Sequence, residues 1–312
     1  MLPSGWAMRY QSIQSVLGLA ICLGAALVCA SSALATDLGS TRTSADARLV
    51  APANPWTLSV MPYGWVPYLD GDVTIKGRTV SIDVTPIEVL EHLDAAPWMS
   101  YIEARRGPLA FYNDIFYAKL GVDANRARSI DGLNLNATAN LKVELAIIEA
   151  GAAYEIAKWR SGGGIKDNVP QRVTALDLIV GARYWHQEMA ISLALGAFDT
   201  TGLDLSASRA VARGGSVDWV DPLVGFRIRH QLSPGRELVF RADVGGFDVG
   251  SQFSWNLMGA YSWDFAVRGG VTYSGLLGYR ALSVDYTKGS GLSTYEYDVV
   301  MHGPIVGLAA KF

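Results

Sequence analysis

Charged side chains recur at every second position along several segments of this 312-residue chain. Asp221, Arg227 and Arg229 share one parity, and Arg241 and Asp243 share one in the next segment. A spacing of two places side chains on one face of a β-strand. Facing guanidinium and carboxylate groups either pair in salt bridges or line a path that favours anions. The candidate interior charges chosen by this parity are Glu103, Arg105, Asp114, Glu144, Glu149, Asp177, Arg183, Asp221, Arg227, Arg229, Arg241, Asp243, Arg280, Asp298 and His302.

Residues suited to acid–base, nucleophilic or metal chemistry are sparse. Only His302 is predicted near carboxylates, because Asp298 precedes it by four residues. The sequence contains no phosphate-binding glycine loop with its Lys and Ser/Thr, and no nucleotide fingerprint. We therefore predict no enzyme, no cofactor and no metal site. The four histidines are His92, His186, His230 and His302.

Residues 1–35 have the pattern of a cleaved secretory signal peptide. Arg9 precedes an apolar stretch at about 16–30, and Ala33-Leu34-Ala35 supplies a small-residue cleavage site. Cys22 and Cys29 lie in this segment, so a mature chain beginning at Thr36 would have no thiol. We predict a signal peptide at 1–35, an N-terminal segment at 36–55 and one domain at 56–312.

The balance of charge argues against a nucleic-acid partner. The chain has 26 basic and 29 acidic residues, for a formal net charge of −3. Removing Arg9, the only charge before Thr36, leaves 25 and 29, for a net charge of −4. Nucleic-acid-binding domains are usually basic, so this mild acidity is the wrong sign.

The domain at 56–312 alternates apolar and polar side chains almost throughout, which predicts β-strands. In 255–265, Trp255, Leu257, Tyr261, Trp263 and Phe265 share one face. Aromatic residues near both ends of such a face are typical of a strand that crosses a bilayer in a closed antiparallel barrel. Ten strands are predicted, at 56–68, 98–106, 109–120, 141–156, 175–195, 219–231, 237–247, 253–265, 271–286 and 295–312. Eight or twelve are the alternatives, twelve if 72–75 and 79–84 join the wall as a hairpin.

The last predicted strand changes parity along its length. Tyr297, Val299 and Met301 are apolar at odd positions, whereas Val306 to Phe312 are apolar at even ones. A slip of one residue would turn a whole face over, so we predict a β-bulge near His302-Gly303-Pro304. A similar slip near Ile147-Ile148 would keep Glu144, Glu149 and Glu155 in the interior.

The connection between the first two strands is predicted to hold a hairpin and a short helix. Thr85-Pro86-Ile87-Glu88 has the residues of a capping box with Pro at the first helical position. Ile87, Leu90 and Leu93 would form an apolar stripe. We expect this stripe to pack on the hairpin or the barrel mouth, and the alternative is a lid that gates the interior.

The chain ends in a strand whose even positions are Val306, Leu308, Ala310 and the aromatic Phe312. This ending resembles the terminal strand of bacterial outer-membrane β-barrel proteins. The segments 219–227 and 301–308 resemble a proteobacterial group of such proteins without an assigned activity. The resemblance implies a C-terminal assembly signal at Val306, Leu308, Ala310 and Phe312 that the barrel assembly machinery recognises. It also implies a Gram-negative outer-membrane location, with membrane lipid and lipopolysaccharide as partners and 36–55 in the periplasm.

The fold class expected is all-β, a closed antiparallel transmembrane barrel of about ten strands with a short helix in the first long loop. Its predicted extracellular loops are 123–136, 199–216 and 287–294. A ten-stranded interior is narrow, so the interior charges are expected to pair and largely plug it. We therefore expect a structural barrel or a narrow, anion-preferring, porin-like channel. The alternative is an outer-membrane barrel hydrolase that acts on lipid or peptide at the extracellular rim.

Overall fold

The computed structural model describes residues 55–75, 78–130, 133–161, 172–199 and 207–312. The predicted signal peptide, with its cleavage site, and most of the segment 36–55 lie outside these residues. Among the described residues, no helix is both long and apolar enough to cross a membrane. Within the described ranges the chain forms twelve strands, which are β1 (Thr57–Trp65), β2 (Tyr68–Ile75), β3 (Arg78–Val84), β4 (Trp98–Arg106), β5 (Leu109–Ile130), β6 (Leu133–Ser161), β7 (Arg172–Asp199), β8 (Ala207–Ser233), β9 (Arg236–Gly246), β10 (Phe253–Arg268), β11 (Val271–Lys288) and β12 (Tyr295–Lys311).

Ten of these strands close into an antiparallel barrel, as the sequence predicted. The order is β1-β4-β5-β6-β7-β8-β9-β10-β11-β12, and β1 also pairs with β12 to close the ring. The backbone of Phe312 continues this seam, because its N–H donates to the Leu58 carbonyl at 2.8 Å. Closure pairs β1 with β12, which would be the two edge strands of an open sheet of ten.

The predicted hairpin forms β2 and β3, which lie outside the ring of ten. β2 pairs with β12 from Tyr68↔His302 to Ile75↔Tyr295, directly beyond the stretch of β12 that β1 occupies. The sheet therefore has twelve strands although the barrel closes with ten.

The barrel has two unlike ends. The terminal end holds Thr57 and Phe312 and the tight turns at Gly107 and Gly235, which adopt φ values of +58° and +72°. Glycine reaches this left-handed region without a Cβ clash. The opposite, long-strand end is built from β5 to β8, which have 22 to 29 residues each. Most of the predicted loops 123–136 and 199–216 are paired strand here, because backbone pairing does not require an alternating apolar pattern.

The predicted helix is present as α1 (Pro86–Glu91) with its capping box. The Thr85 backbone N–H donates to Glu88 Oε2 at 2.8 Å, and the Glu88 N–H donates to Thr85 Oγ1 at 3.4 Å. The predicted packing is wrong in detail, since Ile87 and Leu90 are exposed and Val89 is the buried residue. The lid role stays a prediction. The segment after α1 is hydrogen bonded to β5 through His92 and Asp94.

The predicted bulge in the last strand is absent. β11 and β12 pair in one continuous register from Thr272↔Lys311 to Lys288↔Tyr295. Tyr297, Val299 and Met301 lie inside, whereas Val306 and Leu308 are exposed on the outside. The lumen is itself apolar toward the long-strand end. The apolar residues of β12 therefore face inward in that half of the strand and outward in the terminal half, without a slip of the backbone.

Candidate functional site

Three of the predicted interior charges lie on the outer face, and their assignment to the lumen is wrong. Asp298 is exposed between the buried Tyr297 and Val299. His302 Nδ1 is 2.6 Å from the hydroxyl of Tyr279, and its ring stacks on Tyr68.

Glu144, the third of these residues, accepts a hydrogen bond from the Tyr117 hydroxyl and pairs with Lys119 at 3.5 Å. The predicted slip near Ile147 is absent, since the registers of β6 with both neighbours are continuous there. The apolar interior explains this error too, because Leu145 and Ile147 are the inward residues.

The other predicted charges point into the lumen, and all but Asp221 form one layer across its middle. We call this the central charge layer. Alternation along each strand brings the side chains there, because every second residue faces inward. Its members are Glu103, Arg105, Asp114, Glu149, Asp177, Arg183, Arg227, Arg229, Arg241, Asp243 and Arg280.

Asp177 is the centre of one half of this layer. Its carboxylate accepts from Arg105 Nη2 at 3.0 Å, Arg227 Nη2 at 2.8 Å and Arg229 Nε at 3.1 Å. Arg227 also reaches Glu103 on β4, with 2.6 Å between Nη1 and Oε2. These contacts join β4, β7 and β8.

Glu149 is the centre of the other half. Its carboxylate accepts from Arg183 Nη2 at 2.8 Å and from Arg241 Nη2. Both arginines also hold Asp243, at 2.6 Å and 2.9 Å respectively. Tyr112 adds a neutral donor, with its hydroxyl 2.8 Å from Glu149 Oε1.

Each carboxylate of the layer is therefore bound by at least one guanidinium. A buried carboxylate without such a partner would cost several kcal/mol, so the loss of one partner alone would destabilise the barrel. Several pairs span the barrel, because Arg227 on β8 reaches β4 and Arg280 on β11 reaches Asp114 on β5. These pairs place charged side chains across the lumen at the level of the central charge layer.

An aromatic stack lies in the lumen toward the long-strand end. The rings of Trp185 and Trp219 are 5.4 Å apart and nearly parallel, and Trp219 and Tyr286 are 4.0 Å apart. Both indole N–H groups donate to Asp221 Oδ2, at 3.0 and 3.3 Å, and the Ser251 backbone N–H donates to Oδ1 at 2.7 Å. Asp221 thus ties the stack to the connection between β9 and β10. Sequence parity placed Asp221 inside but did not predict the stack, because no face was assigned to Trp185 or Trp219.

The histidines do not assemble a recognisable reaction centre in the described part of the chain. His186 pairs with Asp218, with 2.6 Å between Nδ1 and Oδ1, but its Nε2 is buried without a hydrogen-bond partner. His230 Nδ1 contacts the Thr174 hydroxyl, and His92 Nδ1 contacts the Glu88 carbonyl. Within the described ranges, no group of three or more His, Cys, Asp or Glu side chains is arranged to hold a metal ion.

The residues of the predicted assembly signal follow the outer face of β12. Val306 and Leu308 are exposed, Ala310 is half-buried, and Phe312 is 59% exposed beside the start of β1. They form an apolar row on the outer face of the barrel at the terminal end.

The chain was compared with family models, curated proteins and solved structures. No family model matches the chain, and no curated protein matches it. Among solved structures it is similar to Ail, the attachment invasion locus protein of Yersinia pestis, with 11% identity, 82% of this chain and 98% of that chain covered, and a TM-score of 0.28. It is also similar to a FadL homologue of Pseudomonas aeruginosa, with 9% identity, 82% and 89% coverage, and a TM-score of 0.24. A third is OccK2 of the same organism, with 11% identity, 83% and 98% coverage, and a TM-score of 0.20. Likenesses this remote carry no argument about function.

Proposed function

We propose that this protein is an integral β-barrel of the bacterial outer membrane whose lumen is sealed by the central charge layer. In this proposal the terminal end faces the periplasm, because barrels of that membrane keep short turns there and extend the other end outward. The barrel is structural, and the surface it offers to the outside is built from β5 to β8. The partners are membrane lipid, lipopolysaccharide and, during insertion, the barrel assembly machinery.

The exterior supports the membrane location. On β10 the outward residues Phe253, Leu257, Trp263 and Phe265 are all exposed. Phe253 and Phe265 are separated by about 41 Å along a strand of 3.4 Å rise per residue, which a tilt of about 40° reduces to about 31 Å. This height matches a hydrocarbon core of about 30 Å. Monomeric soluble proteins rarely expose a contiguous apolar surface of this extent.

The exposed aromatic and aliphatic residues continue around the ring. They come from strands on every side of the barrel. A binding site for one partner protein would need an apolar surface on one side only. Representative members are Trp56 and Phe111, Tyr154 and Leu178, Val224 and Phe226, Leu238 and Phe240, Leu277 and Tyr279, and Val306 and Leu308.

The single observation that carries the sealed lumen is the set of salt bridges that span it. Arg227 meets Glu103 from the opposite wall, and Arg280 meets Asp114 in the same way. A ten-stranded interior is only slightly wider than one that side chains fill completely. We therefore infer a sealed barrel in preference to a narrow anion-preferring channel, although the arginines would favour anions if a path opened.

A hydrolase at the extracellular rim has less support. The Asp218–His186 pair is the arrangement nearest to an acid–base dyad, but the free nitrogen of His186 is buried, so a substrate does not reach it in this conformation. A His186→Ala variant that abolished a lipase or peptidase activity of the purified protein would support the hydrolase instead.

Solute uptake by liposomes tests the proposal. Liposomes containing the folded protein should take up small sugars and amino acids no faster than empty liposomes. The double variant Arg227→Ala/Glu103→Ala removes one spanning bridge and should admit solute, whereas Lys142→Ala/Asp94→Ala removes an exposed pair and should not. Rapid uptake by the wild-type protein would contradict the sealed lumen, and failure to insert into lipid would contradict the membrane location.

A further inference from the structure

A cavity of about 540 Å³ lies in the lumen between the central charge layer and the terminal end. We call it the terminal cavity. Thr57, Thr272 and Lys311 line it near the ends of their strands, whereas Arg241 and Arg280 line it at the charge layer. Its volume falls within the range of about 300–1,000 Å³ that small-molecule sites occupy.

The lining of the terminal cavity has two chemical characters. The apolar part includes Met61, Met258, Leu276 and Ile305. The charged part is formed by Arg105, Arg227, Arg229, Arg241 and Arg280, with Glu103, Asp114 and Glu237 among them. An apolar wall with a few convergent polar groups is the usual composition of a site for a small organic ligand.

One of these arginines has an unused donor. Arg105 donates from Nε to Glu103 at 3.1 Å and from Nη2 to Asp177 at 3.0 Å. Its Nη1 is buried and has no hydrogen-bond partner in the described part of the protein. A buried donor without an acceptor is unfavourable, and the neighbouring carboxylates are already held by Arg227 and Arg229. Arg105 lines the terminal cavity, so a rotation of its guanidinium toward the cavity would let an anionic oxygen from outside the chain supply the missing acceptor.

A second cavity of about 410 Å³ adjoins the terminal cavity at the mouth of the barrel. Arg229, Glu237, Ser262 and Lys311 line both cavities. The outer cavity adds Lys158, Arg160 and Arg236 to its lining, against Glu155 and Asp264. An excess of basic side chains along an entrance raises the local concentration of anions.

We propose that the terminal cavity binds a single-chain amphipathic carboxylic acid, with its carboxylate at Arg105 and its hydrocarbon chain against Met61, Met258 and Leu276. A cationic amphiphile would be repelled by the excess of basic side chains in the lining, and a neutral one would not compensate that excess. A small hydrophilic anion would leave the apolar wall unfilled. This inference goes beyond the sealed barrel, which requires no ligand.

The test is calorimetric titration of decanoate into the protein held in phosphatidylcholine nanodiscs, with empty nanodiscs as the blank. Saturable binding of one decanoate per barrel is expected. Decan-1-ol and decyltrimethylammonium should bind at least tenfold more weakly. Binding no greater than the empty nanodiscs, or equal binding of all three amphiphiles, would overturn the proposal.

Two variants locate the site. Arg105→Gln should weaken decanoate binding at least tenfold and leave decan-1-ol unchanged, and Asp177 keeps Arg227 and Arg229 in this variant. Met258→Trp fills the apolar part and should abolish binding, whereas the matched control Leu257→Trp on the outer face of the same strand should not. Heat-modified migration on gels shows that each variant is folded. Unchanged binding by folded Met258→Trp would place the ligand elsewhere and overturn the proposal.

Discussion

Arg280 on β11 crosses the lumen to Asp114 on β5, with 2.9 Å between Nη1 and Oδ2. The hydroxyl of Tyr63 on β1 donates to the other oxygen of Asp114 at 2.7 Å. The two contacts hold three strands together through one buried carboxylate, and β5 and β11 are not neighbours in the sheet. The bridge therefore fixes opposite walls of the barrel to each other, in addition to filling its interior.

Removing only one partner of this bridge should destabilise the barrel strongly. Arg280→Met leaves Asp114 buried without its cation, and such losses cost about 3–5 kcal/mol. The double variant Arg280→Met/Asp114→Leu should recover most of that loss, since no buried charge is left unpaired. Urea unfolding in detergent measures the free energies, and an exposed pair, Lys142–Asp94, is the control at about 0–1 kcal/mol. Equal stability of the single and double variants would contradict this account.

Asp221 should be indispensable to the aromatic stack. Asp221→Ala leaves two indole N–H groups and the Ser251 N–H buried without an acceptor, at about 1–3 kcal/mol for each group. Asp221→Asn keeps the shape and one accepting oxygen, so its loss should be smaller. Thermal unfolding followed by tryptophan fluorescence gives the order wild type, Asn, Ala. Similar midpoints for Ala and wild type would show that the stack does not need this carboxylate.

The cap of α1 should weaken in acid. Hydrogen bonds from the backbone and side chain of Thr85 lower the pKa of Glu88 from its ordinary value, and His92 contributes in the same direction. A lowered pKa in the folded state means that the stabilisation is present above the ordinary pKa of Glu88 and is lost as the pH falls through the lowered value.

Hydrogen exchange of the Val89 and His92 amides, corrected for intrinsic rates, measures the effect of pH on α1. Their protection should fall in acid for the wild type. The variant Glu88→Gln cannot ionise, so its protection should not change over the same range. Parallel pH profiles in the two proteins would rule out the carboxylate as the cause.

The terminal aromatic residue should matter more for assembly than for the fold. Its backbone already closes the seam, with the Leu58 N–H 3.2 Å from the Phe312 carbonyl. Phe312→Ala keeps this backbone and removes only the ring, whereas deletion of Phe312 removes both. If the ring is the assembly signal, both variants should reduce the outer-membrane yield in cells, and Phe312→Ala should still fold in detergent. An undiminished yield of both variants would count against the signal.

The ring of ten strands was predictable from the sequence. Each strand, such as β10, shows apolar residues at every second position, and this pattern can be read from neighbouring residues alone. The capping box at Thr85 was predictable for the same reason. The outward positions of Glu144, Asp298 and His302 were not. Parity divides a strand into two faces but does not say which face is outside. The usual rule assigns apolar residues to the lipid and charged residues to the lumen, and the apolar interior near Trp185 reverses that rule. The pairing of Arg227 with Glu103 joins residues far apart in the chain, which no local pattern encodes.

The most direct test of the sealed lumen is the conductance of the folded, heat-modifiable protein in a planar bilayer. With KCl on both sides, the account predicts a silent bilayer in which the presence of inserted protein is verified independently. The double variant Arg227→Ala/Glu103→Ala should show current under the same conditions. Discrete, long-lived steps from the wild-type protein would contradict the sealed lumen, and anion preference in those steps would assign the path to the arginines of the central charge layer.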